Sequence, residues 1–229
     1  MTEENPYAPP QSAVVSQVTG EEPIEHLNPW KSIWGRPKAT IRFILATDPG
    51  RAVLALAAFS GISQALDRAV MRSAGDVLDI SVILGLAVVL GPISGIIGLY
   101  IGGALLRWTG SWLRGTAESG DIRAAIAWAS VPVVCWMPLW IPQLLLFGKE
   151  LFTTETPHLD ESPVLLAALI GLGILEVIVG VWSFILLLHT IGQAHGFSAW
   201  KALGSIFLAF LTVALPLIIL LGLAFAPFM

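Results

Sequence analysis

ISVILGLAVVLGPISGIIGLYIGGALL, residues 80–106, runs for 27 residues without Asp, Glu, Lys, Arg or His. As a helix rising ~1.5 Å per residue it exceeds the ~30 Å of bilayer hydrocarbon, so lipid is the solvent that suits it on every face. Three further runs are long enough to span, at about 124–148, 163–188, which carries Glu176 near its middle, and 202–226. A fifth, at about 50–66, is shorter, with 15 uncharged residues from Ala52 to Leu66 between Arg51 and Asp67. It spans only if its flanking charges snorkel or the bilayer thins around it. The expected architecture is therefore an all-α membrane protein with five transmembrane helices over residues 49–229.

Whole-chain composition agrees. Of 229 residues, 55% are hydrophobic and 12% charged, and the mean hydropathy is +0.79. An ordinary soluble domain carries about a quarter charged residues. The net charge of -4 and the absence of a long Lys/Arg run exclude a nucleic-acid-binding surface. Cys135 is the single cysteine, which excludes an intrachain disulfide and a cysteine-rich zinc site. The opening MTEENPYAPPQSAVVSQVTGEEP is acidic and proline-rich and lacks the apolar core of a cleaved signal peptide. Residues 1–27 are expected to form a disordered cytoplasmic tail.

Between tail and first span, residues 28–48 alternate Trp30, Ile33, Trp34, Ile41 and Ile44 with Lys31, Arg36, Lys38 and Arg42. Indole rings favour the headgroup level and cations favour anionic lipid, so this segment reads either as an interfacial amphipathic helix opened by Pro37 or as a basic flank that sets topology. Nine of the Lys and Arg residues fall on one side of the five-span layout, namely Lys31, Arg36, Lys38, Arg42, Arg51, Arg107, Arg114, Arg123 and Lys201. The other side holds Arg68, Arg72 and Lys149 among many carboxylates. The retained cations mark the cytoplasm, which puts the N-terminus inside and the C-terminus opposite.

Polar features within the spans are few. Glu176 is the one ionisable side chain deep in an apolar run, and a charge there costs roughly 2.5 kcal/mol or more. Gly173, Gly180 and Ser183 share its helix face, which is expected to turn into the bundle, with Ser94 and Thr212 at matching depth as hydrogen-bond partners. This is either a proton or substrate site or a neutral carboxyl that packs helices. Gly91, Gly95, Gly98 and Gly102 line one face of the second span, suited to close helix contact within the chain or with a second copy. Pro132, Pro138 and Pro142 should break the third span. Trp108 and Trp112 read as anchors at the inner surface, like Trp30 and Trp34, and Trp136 and Trp140 as an outer belt. His189 and His195 lack the companions of a metal site, and GFSA after them reads as a turn and cap. No nucleophile elbow, P-loop or paired carboxylate motif is present, so no catalysis and no cofactor are expected.

Three stretches carry a resemblance: NPWKSIWGRPKATIRFILATDPGRAV, GPISGIIGLYIGGALLRWTGSWLRG and DIRAAIAWASVP. With the five-span layout they resemble the bacterial branch of the Yip1 domain family over about residues 28–226. The resemblance implies five helices, a cytoplasmic N-terminus and self-association or association with relatives. The eukaryotic trafficking role does not transfer, because the acidic aromatic motif of that branch is missing and a bacterium offers no Rab partner. The expectation is a non-enzymatic protein of a bacterial inner membrane that organises membrane or partner proteins through helix contacts. The alternative is a transporter or channel for a small solute, ion or lipid, using Glu176 and the broken third span.

Overall fold

The computed structural model describes residues 27–225, with side chains through Ile219. Apart from Leu27, the tail expected over 1–27 lies outside the described residues. Among these residues every element is helical, and five segments are long and apolar enough to cross a membrane.

The chain enters through a short helix α1 (Pro29–Ser32), capped by the Asn28 side chain, which accepts from the Trp30 amide at 3.2 Å. Helix α2 (Pro37–Thr47) follows, opened by Pro37 and closed at Asp48, the residue before Pro49. Its Ile41 and Ile44 are fully buried with Ile33, so the apolar side of α2 faces protein instead of lipid. The first span is α3 (Val53–Met71), 19 residues and ~28 Å long. Charge at Asp67 and Arg68 does not stop this helix, so its length fits the hydrocarbon without the thinning that a 15-residue run would require. Trp128 fixes its entry by donating Nε1–H to the Arg51 carbonyl at 3.2 Å.

Helix α4 (Ile80–Trp112) returns antiparallel to α3 and packs on it more extensively than any other pair of elements. The third span is broken as its prolines require, into α5 (Ser119–Ala129), α6 (Val131–Trp136), a 3-10 turn Met137–Leu139 and α7 (Trp140–Phe147). Glu118 and Asp121 close a reciprocal capping box at the start of α5. After α8 (Pro157–Glu161), α9 (Pro163–His195) continues past Leu188 because Thr190, Gly192 and Gln193 are neutral and helix-compatible. It ends at Gly196, whose φ of 73° suits glycine, with the Phe197 amide bonded back to Gly192 at 2.8 Å. The last span is α10 (Ala199–Phe225).

Two cores hold these spans. One surrounds Trp128 and joins α2, α5, α6 and the end of α9 through Ile41, Ile122, Val131 and Ile191. The other joins α3, α4 and α7 through Leu66, Ile83, Trp140 and Phe147, with Phe152 of the turn that follows. Between them α9 is covered unevenly, since all its buried residues lie at or beyond Leu186.

Candidate functional site in an intramembrane groove

Because α3 continues beyond Leu66, it carries Asp67 to the bare half of α9. There the Asp67 and Glu176 side chains line one cavity. Two carboxyl groups that face one small space within a bilayer are poorly solvated by lipid and call for polar partners.

The broken third span supplies the opposing wall. Helix α7 starts at Trp140, and Gln143 stands about one turn along on the same face. Both are 6% exposed. Trp140 is held by stacking on Phe152, with centroids 6.3 Å apart and an interplanar angle of 10°. Trp140 Nε1 and Gln143 Nε2 are buried without a hydrogen-bond partner. All four residues line one cavity of about 230 Å³, with Leu172 and Gly173 beside Glu176. The arrangement offers two unused donors and two carboxyl groups, chemistry suited to a polar group that both accepts and donates. A buried donor left unpaired costs ~1–3 kcal/mol, so a partner gains from filling it.

The face that carries Glu176 does not turn into the bundle: Glu176, Gly173 and Gly180 are all exposed on the protein surface. Helical periodicity places residues on one face but does not say which neighbour that face meets. Ser94 and Thr212 are not brought to Glu176. The Ser94 hydroxyl donates to the Gly91 carbonyl at 2.9 Å, and that of Thr212 to Ala209 at 2.8 Å. Ser183 Oγ is buried without a partner. Sequence alone does not bring Asp67, Trp140 and Gln143 together: a charge such as Asp67 marks the end of an apolar run and Trp140 has the placing of a belt residue, while Gln143, an amide inside an apolar run, is the available signal.

The glycine face divides in two. Gly91 and Gly95 lie against Ala57, Gly61 and Ile62 of α3, whereas nothing stands within 4 Å of a side chain added at Gly98 or Gly102. Among the tryptophans, Trp30, Trp34, Trp108 and Trp112 are exposed, and Trp108 meets Trp112 edge-on at 4.8 Å. His195 is buried and stacks on Phe197 at 4.9 Å, with Nε2 3.3 Å from the Leu106 carbonyl.

The family model described as Yip1 domain matches residues 28–222. No curated protein and no solved structure matches the chain.

Proposed function

The chain belongs to the Yip1 domain family and is a multi-pass membrane protein; on that premise we propose that it organises membrane or partner proteins through helix contacts, without catalysis, in a bacterial inner membrane. Its N-terminus is cytoplasmic and its C-terminus lies on the opposite side. Trp30, Trp34, Trp108 and Trp112 anchor the cytoplasmic interface, with the segment at 28–48 lying along it.

One observation carries this reading. Helix α9 buries no residue before Leu186, yet Glu176 lies within that uncovered stretch. Lipid alone solvates a carboxyl poorly, whereas a partner helix offering a hydroxyl or amide can bond both Glu176 and the free Trp140 and Gln143 donors. Gly173 and Gly180, seven residues apart, allow that helix close approach.

The test is disulfide cross-linking in native membranes from Gly173→Cys and Gly180→Cys in a Cys135→Ser background. A discrete adduct that Glu176→Leu abolishes supports the proposal. Absence of any adduct, together with full complementation of a deletion strain by Glu176→Leu, overturns it.

A second reading is favoured by the cavity itself, because the proline-broken third span and Glu176 line the same space. As a transporter, the protein would pass a small solute or ion through it. Flux in proteoliposomes that Glu176→Gln abolishes would establish that reading.

A further inference from the structure

A larger groove lies elsewhere on α3. It measures about 310 Å³ and is walled by α3, α4, α5 and α9. Its chemistry is graded from end to end. Arg68 and Gln64 stand at one end, the Arg68 guanidinium donating to Gln64 Oε1 at 3.2 Å. Among the described residues this is its one hydrogen bond, and no carboxylate forms an ion pair with it.

The remaining lining is apolar in effect. Ser60, Ser94 and Ser130 donate their hydroxyl protons to Ala57, Gly91 and Ala127 on their own helices, so they offer the groove no free donor. Leu99, Leu106 and Leu187 make the far end hydrocarbon-like. Gly98 and Gly102 keep the track open, because neither has a neighbour within 4 Å of where a Cβ would be. From Ser94 to Leu106 the track covers twelve residues of α4, ~18 Å along its axis, on the scale of the ~15 Å hydrocarbon of one leaflet.

A cation with spare donors at one end and a greasy track behind it fits an anion joined to a long hydrocarbon chain. We propose that this groove binds an anionic phospholipid, its phosphate on Arg68 and Gln64 and one acyl chain along Gly98 and Gly102. The charge selects the lipid: an arginine inside a span needs a counter-anion, and a phosphodiester accepts its planar fork in bidentate fashion. A net negative headgroup leaves that phosphate without a competing ammonium of its own. This site is separate from the Asp67–Glu176 cavity and does not depend on the partner contact proposed there.

Native mass spectrometry of the full chain, with phosphatidylglycerol or phosphatidylcholine added in detergent, tests the assignment. The wild-type protein should retain phosphatidylglycerol at least tenfold more than phosphatidylcholine. Arg68→Gln should remove that preference. Gly98→Leu should lower retention of both lipids by filling the track, and Gly171→Leu, at an exposed glycine with nothing within 4 Å, should change neither. Equal retention of the two lipids by the wild type overturns the proposal. So does a preference that survives both Arg68→Gln and Gly98→Leu, or retention of a free fatty acid in place of the phospholipid.

Discussion

Gly61 of α3 and Gly95 of α4 meet backbone to backbone, so closely that a Cβ on either would lie 2.8 Å from the α-carbon of the other. In lipid, where burial of apolar surface between helices gains nothing, such contact is how two spans hold together.

Gly95→Ala and Gly61→Ala should therefore each destabilise the protein by about 1–3 kcal/mol, since the neighbour is backbone and cannot yield. Gly98→Ala and Gly102→Ala should stay within about 0.5 kcal/mol. Reversible unfolding in mixed micelles separates the two pairs. Equal losses at Gly95 and Gly98 would contradict the seam.

The acid pair predicts coupling. Asp67→Ala and Glu176→Ala should not add: a double-mutant cycle should return an interaction of about 0.5–3 kcal/mol. Additivity would mean that the two carboxyls act independently.

How much of this was legible before folding depends on the range of the signal. Hydropathy is local, so the spans at 80–106 and 163–188 could be read directly, and both helices then run on through polar but helix-compatible residues. Asp67 was hidden because a charge marks the edge of an apolar run, not the end of a helix. Gly91 and Gly95 share their spacing with Gly98 and Gly102, and only the crossing point of α3 on α4 separates contact from groove. Ser94 and Thr212 show the same limit, since depth along a span does not fix its rotation.

His195 predicts a size constraint in the loop after α4. A Cβ on Gly115 would lie 2.7 Å from its Cγ, and one on Gly110 3.0 Å from its Cδ2. Gly110→Ala, whose nearest neighbours are all atoms of that ring, should cost about 1–3 kcal/mol by displacing it. In a His195→Ala background the same change should be nearly neutral, and thermal unfolding of the four proteins measures the difference.

Acid should open one clasp on the opposite side. The Thr154 hydroxyl donates to Asp76 at 2.6 Å and the Thr154 amide at 3.0 Å. These two bonds hold the exposed Asp76 carboxyl below its ordinary 3.8. A lowered folded value means the clasp contributes fully above pH 3.8 and is lost as the pH falls through that lower value. The protection of the Thr154 amide against hydrogen exchange, taken relative to its intrinsic rate at each pH, should be present at neutral pH and fall under strong acid. Asp76→Asn should remove the pH dependence. A rate that tracks only intrinsic exchange chemistry would refute the clasp.

Asp67 and Arg68 are adjacent in sequence, about 100° apart around α3, and line different cavities. The glycine seam begins about two turns away and admits no slack there, so α3 behaves as a keyed axle. A rotation of α3 that moved Arg68 would move Asp67 by the same angle, and the backbone contact of Gly61 with Gly95 resists both.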